Sequence, residues 1–417
     1  MAYYRTKRGA LFIGEETAFG AGAAALTYIK TKEVGFPAGM EYAPSDDIVQ
    51  EDVENQGTVL YGPGDVTFKM GLHPVKGSTW PTAKPVLGSK PPISLPLEAI
   101  MGGVLAGGYG VLTAGSTTTV LQFDPYDPVG VPSVMGFVVG EPVYVRTSGA
   151  ENVLGANVAK DVDDINFTVT LRSPLPSAPA TGAIVYGGYC WPKLSSAASS
   201  SYELQFEGEA VTDVRQSLGG FAGQASIAAP QRGKAELSMT FHCAEPVPLD
   251  VAEAGGNPGV QAYAYPDAAQ VIAGGLYLWD GTNNHKLTGG IDIDFGVESV
   301  PVEGIHGTDP NGIAAYVMIM RTIRVKVNPA YVDNKLIDLF RNPKAVQVLT
   351  GWFGRGPRVW MFQLPQTIMT MAPTLGDQSG VIIHPLEFGA AAYTGDTGTG
   401  GAAAAGDKPA VIGVLAG

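Results

Sequence analysis

Five histidines are the first places to look for chemistry in this chain. His73, His242, His285, His306 and His384 stand singly, without the H-E-x-x-H or i, i+4 spacing that places two imidazoles on one helix face for zinc. His242 adjoins Cys243, but neighbours on a strand point to opposite faces and do not share a metal. Neither Cys190 nor Cys243 sits in a C-x-x-C pair, so both read as reduced thiols of a cytosolic fold, with one long-range bridge left open. There is no G-x-S-x-G elbow, and "QRGKA" lacks both the upstream Gly and the following Ser or Thr of a phosphate loop. "DID" at 292–294 has the form of a D-x-D metal pair, yet alternation with Ile and Phe explains it without metal. "WDGTNNHK" lacks the later carboxylates of a calcium loop and reads as a hairpin turn. No catalytic residue, metal or cofactor is expected.

The acids form a pattern of a different kind. In "YELQFEGEA" the odd positions carry Glu203, Gln205, Glu207 and Glu209 while Tyr202, Leu204 and Phe206 lie opposite. In "GIDIDFGVES", Asp292, Asp294 and Glu298 oppose Ile291, Ile293, Phe295 and Val297. Period-two alternation puts each acidic row on the face away from the core, where it is expected to meet water or another subunit. A net charge of −13 argues against a surface that grips nucleic acid or anionic lipid, which requires clustered Lys and Arg. It leaves room for a surface that DNA merely passes.

The elements that must carry these rows are strands. The chain has 417 residues with 56 Gly and 31 Pro, which favours short strands joined by turns and one large domain with an insertion, or two domains. "DVTFKMGL", "KAELSMTF" and "TIRVKVN" alternate strictly, and "SGVIIHPLEFG" is a late strand interrupted at Pro385. Helical spacing occurs in "VDNKLIDLFRNP", capped by Asp333 and stopped before Pro343, and more weakly in "SLPLEAIMGGVL", with Ser94 as cap. Each follows a strand, loop, strand succession, at 29–36 and 65–72 and again at 290–297 and 316–327, which hints at an internal duplication. Residues 1–127 and 193–389 are expected to form the main domain, 128–192 a small inserted β module removable at its turn-rich ends, and 390–417 a low-complexity tail unable to fill a core. The N-terminal "MAYYRTKRGALFIGEE" breaks off at Glu15 and Glu16 before any cleavage-site pattern, and no run reaches the roughly 18 apolar residues of a membrane span.

The opening "RGALFIGEETAFGAGAAALTYIKTKEVGF" resembles the start of the tail tube proteins of long flexible-tailed bacteriophages, in which a G-x-E-x-T-x-F/Y-G phrase precedes the first sheet strand. "TTTVLQFDP" and the segment from "YELQFEGEA" to "KAELSMTF" follow in the order such proteins show, while the insertion at 128–192 resembles the extra outer domains of some tail tubes. The resemblance implies a mainly β sandwich or barrel with one or two flanking helices. It also implies self-assembly into stacked rings, usually six-fold, in a virion tail built in the host bacterial cytoplasm. The partners implied are further copies of the chain, the tape measure, tail terminator and distal tail proteins, and genomic DNA passing through the bore without specific binding. The acidic rows then become candidates for the bore wall, an ordinary solvated or interfacial face being the other reading. The long loop 37–64, with Asp46, Asp47, Glu51, Asp52 and Glu54, becomes a candidate contact with a neighbouring subunit or ring. Two other classes stay open: a capsid or decoration component, and a carbohydrate-binding β protein using Trp352 and Trp360.

Overall fold

The computed structural model describes residues 10–36, 41–43, 58–60, 63–73, 90–125, 136–146, 153–194, 200–207, 214–249, 277–285, 287–304, 310–329, 347–370, 376–378, 381–383, 385–393, 395–396 and 410–415. In chain order, β1 (Ala10–Glu15), β2 (Thr27–Ile29) and β3 (Thr31–Gly35) lead into the paired β4 (Glu41–Ala43) and β5 (Thr58–Leu60), then β6 (Gly64–Gly71), α1 (Ser94–Met101) and β7 (Leu105–Ala106). A six-stranded sheet follows from β8 (Tyr109–Val111), β9 (Val120–Gln122), β10 (Pro142–Arg146), β11 (Val153–Asp163), β12 (Thr168–Leu171) and β13 (Ile184–Tyr186). The chain returns through β14 (Gly188–Pro192), β15 (Tyr202–Glu207), β16 (Val214–Pro230), β17 (Glu236–Cys243) and β18 (Glu245–Leu249). Next come β19 (Tyr277–Trp279), β20 (Asn284–His285), β21 (Leu287–Asp294), the hairpin β22 (Val297–Glu303) and β23 (Ile313–Arg321), and β24 (Arg324–Pro329). It closes with β25 (Gln347–Arg355), β26 (Arg358–Met369), β27 (Gly376–Gln378), β28 (Val381–Ile383), β29 (Leu386–Ala390) and β30 (Val411–Leu415).

The protein is mainly β, built of several sheets, one of them curled as a half-barrel. Alternation explains why. Across β6 and β17, Met70 opposes Leu237, Phe68 opposes Met239 and Val66 opposes Phe241, all essentially buried on one face, while Lys69 opposes Ser238 and Thr67 opposes Thr240 on the other. Fully burying one such apolar side chain contributes ~1.5–3 kcal/mol, so a one-residue slip that reversed the faces would be prohibitive. The same core takes Ile291, Ile293 and Phe295 from the second alternating segment and Val325 and Val327 from β24. Helix α1 packs on this core through Leu97, Ile100 and Met101. Ser94 is its first helical residue rather than its cap: Ile93 holds the cap position, and the Ser94 hydroxyl instead accepts the Trp191 indole N–H at 2.9 Å. Gly102 ends the helix in a left-handed conformation, its N–H donating to the Glu98 carbonyl. The expected helix over 332–342 lies outside the described residues.

Two boundaries differ from those expected. The small sheet begins at Tyr109 and ends at Tyr186, so the module spans a wider stretch at its start than 128–192, and β14, inside that range, belongs to the large sheet. Its neck is a pair of close-packed glycines, where Gly107 N–H donates to Gly188 O and Gly187 N–H to Gly108 O; a Cβ on Gly107 would stand 2.7 Å from the Gly187 Cα. Nor is the module only tethered by its ends. Tyr144, Ala156 and Val158 share a buried cluster with Trp352, Met361 and Val411 of the large sheet. Within it, buried Gln363 donates to both Asn157 Oδ1 and Thr350 Oγ1 at 3.0 Å. Excision would lay that apolar cluster open.

The last residues also differ from the expectation of a tail that fills no core. β30 inserts between β14 and β26, with Val411, Ile412 and Val414 buried. Upstream, Asp396 takes a two-pronged ion pair from Arg172 with both side chains fully buried, and the Arg172 guanidinium lies over the Tyr393 ring. Low complexity obscured a strand because alternation is short and flanked by Gly and Ala. Among the described residues no helix is long and apolar enough to cross a membrane.

Candidate functional site

The outward face of β3, β6, β17, β16, β21 and β24 is concave and polar, enclosing a groove of ≈ 950 Å³. Strand pairing sets its rows. One runs Lys69, Ser238, Ser226, Asp294, Arg324 across five successive strands. The next runs Glu236, Ala228, Asp292, Lys326, Glu387 and so extends onto β29. Thr67, Thr240 and Gln224 add hydroxyl and amide groups. Every one of these positions alternates with a buried residue that belongs to the core, so the polar face follows directly from the burial of the opposite one.

The electrostatics are those of a mixed wall. Lys69 pairs with Glu33 at 2.9 Å, a contact that raises the Lys69 ammonium above its usual range. Arg324 and Lys326 each stand 3.6 Å from the Glu387 carboxylate, and Lys32 pairs with Glu236. Partial desolvation raises the Asp292 carboxyl, against the opposing pull of Lys326. Asp294 is partly used by the backbone, its Oδ1 accepting the Gly296 N–H at 2.9 Å. Cations on this face thus sit beside carboxylates instead of clustering, which is the arrangement that denies a phosphate chain a strong site.

The acidic rows named from sequence separate. Asp292 and Asp294 lie on the concave face, but Glu298 stands beyond it on the β22–β23 hairpin, because Gly296 breaks the strand between them. Glu203 and Glu207 are a correction: both are buried, as is Gln205 between them. The segment after β1 covers Glu203, which accepts the Ala23 N–H at 2.7 Å and the Gln216 amide at 2.6 Å. Desolvation raises the Glu207 carboxyl. Alternation correctly separates the two faces of a strand but is blind to a loop that folds over one of them. Glu209, and the loop acids Asp46, Asp47, Glu51, Asp52 and Glu54, lie outside the described residues. What sequence reading passed over was the neutral and basic part of the wall, Lys69, Ser226, Ser238 and Lys326, although their outward positions in alternating strands were visible.

Of the remaining candidates, His306 and His384 lie outside the described residues. Among the described residues no group of three or more His, Cys, Asp or Glu is placed to hold a metal. "WDGTNNHK" is a hairpin turn, with Leu278 opposite His285 and Trp279 opposite Asn284. Burial would raise the Asp280 carboxyl, but hydrogen bonds from His285 and the backbone N–H groups of Asn283 and Thr282 outweigh it and bring it down to about 2. Cys190 and Cys243 are both buried thiols. No protein-family model matches the chain, and no curated protein matches it.

Proposed function

We propose that this chain is a structural subunit that assembles into stacked rings forming the hollow tail tube of a long flexible-tailed bacteriophage, with genomic DNA passing through the bore. The observation that carries the reading is the concave polar face spanning both halves of the chain, with its cations held beside carboxylates and an apolar core behind it. A wall of this kind offers passing phosphates neither a cationic cluster nor an apolar patch. The role is structural, not catalytic; its partners are copies of itself and the tape measure, tail terminator and distal tail proteins, and its place is the virion tail. The resemblance of the opening segment to tail tube proteins supports the same reading. A carbohydrate-binding role loses its aromatic platform, since Trp352 and Trp360 are both buried. Negative-stain imaging of the purified protein tests the proposal: rings or tubes with a continuous bore are expected, and closed shells or isolated compact oligomers without a bore would overturn it.

A further inference from the structure

The strand pairings describe one unit used twice. In the first, β1 pairs with β2 and β15, β15 with β16, β16 with β17 and β18, β17 with β6, and β6 with β3. In the second, β19 pairs with β20 and β25, β25 with β26, β26 with β29 and β30, β29 with β24, and β24 with β21. Each pairing has its counterpart, in the same chain order and all antiparallel. Side chains follow: Glu33 faces Lys69 in the first unit as Asp292 faces Lys326 in the second. The hairpins β4–β5 and β22–β23 interrupt the two units at the same point.

Among the described strands the units are joined inside the chain by one further strand pairing. β16 runs on past Gly220, which opposes Tyr202 at the end of its pairing with β15, and its far end takes β21 along the vacated side, from Ser226 opposite Asp294 to Pro230 opposite Gly290. The counterpart of β21 is β3. Among the described strands β3 pairs with β6 alone, and its inward Val34 is half-buried where the matching Ile293 is 2% exposed. The counterpart of β16 is β26, whose pairing with β25 ends, among the described residues, at Thr367 opposite Gln347, and whose next residue, Ile368, is 57% exposed.

We infer that β3 of one copy pairs with the end of β26 of a second copy, repeating between chains the β16–β21 junction that each chain contains within itself. The contact is head-to-tail, so it propagates from copy to copy and closes into a ring whose wall alternates internal and intermolecular junctions. Each chain supplies two wall units, and the ring therefore holds half as many chains as wall units. The register is specified. Thr370 donates its N–H to the Glu387 carbonyl and stands where Ser226 faces Ser238, and Gly35 opposes Thr67 as Asp294 opposes Arg324. Gly35 of one copy thus lies opposite Thr370 of the next. This deepens the tube reading and rests on it only in requiring that copies associate.

The test is oxidation of assembled Gly35→Cys/Thr370→Cys protein, with Ser226→Cys/Asp294→Cys as the internal counterpart. The first variant is expected to give a ladder of disulfide-linked multimers on a non-reducing gel, and the second a disulfide within the single chain. Ordered rings or tubes that give no intermolecular link, while the internal pair closes, would overturn the inference and leave the tube reading standing. A ladder from particles with no bore would uphold the edge contact and overturn the tube reading. Should the cysteine variants fail to fold, hydrogen exchange on the unmodified protein decides: amides of 31–35 should slow at least about tenfold on assembly while those of 291–294, already paired on both sides, stay unchanged. Unchanged exchange at 31–35 in assembled material would overturn it.

Discussion

Reversing one wall acid in each unit tests the electrostatic argument directly. On the concave face the carboxylates of Glu33, Glu236, Asp292, Asp294 and Glu387 stand among Lys32, Lys69, Arg324 and Lys326, leaving one negative charge in excess per chain. The double variant Glu33→Lys/Asp292→Lys converts this to three positive charges in excess per chain. Both positions are exposed, and the Glu33–Lys69 pair lost is a surface contact that contributes little to folding, so tubes of normal appearance are expected. Because neighbouring charges lie within the ~8–10 Å screening length at moderate salt, the new cations act together on a phosphate chain. Assembled wild-type protein should hold a short DNA duplex weakly at about 0.1 M salt. The variant should bind it, with log affinity falling against log salt by a slope of about 0.9 for each phosphate engaged. Fluorescence anisotropy of a labelled duplex measures both, and ejection from particles carrying normal-looking tails should slow. Equal, weak binding by wild type and variant across the salt series would refute the reasoning, as would wild-type tubes that bind DNA tightly.

Other expected outcomes concern what holds the wall in place. Asp396→Ala leaves the buried Arg172 guanidinium without its counter-charge and should destabilise by about 3–5 kcal/mol, read as a lowered thermal midpoint; an unchanged midpoint would show the pair to be dispensable. Asp280, lowered to about 2 in the folded state, contributes stability that is complete above the ordinary carboxylate range near pH 4 and is lost as pH falls toward 2. The contribution is about 2 kcal/mol, so the acid-unfolding curve of Asp280→Asn, followed by far-UV circular dichroism, should be flatter in that window. Gly296 has φ +53°, and a Cβ there would stand 2.2 Å from the Thr322 carbonyl oxygen, a backbone atom that cannot swing aside. Gly296→Ala should therefore cost at least about 1–2 kcal/mol in denaturant titration, and a wild-type midpoint would contradict the strain argument.

Strand identity was legible in the sequence wherever one face is buried and the other wet, because a two-residue period is then written into residue type. "DVTFKMGL", "KAELSMTF" and "TIRVKVN" became β6, β17 and β24, with Pro385 separating β28 from β29 as expected. Asp292 and Asp294 were placed on the outer face by the same signal. What alternation cannot carry is the identity of the neighbour. Glu203 and Glu207 alternate as cleanly as Asp292 and Asp294, yet the first two are buried, Glu203 under the segment holding Ala23, while the second two face the groove. The module's true start at Tyr109 depends on β8 pairing with β13, some seventy residues later, and β30 becomes a strand only because β14 and β26 leave it a slot. The duplication was a hint in the repeated strand, loop, strand succession before each expected helix, and only the pairings make it explicit. Local pattern sets which face of a strand seeks the core; long-range hydrogen bonding and packing, whose partners are distant in sequence, decide which strand lies beside it and what covers the other side.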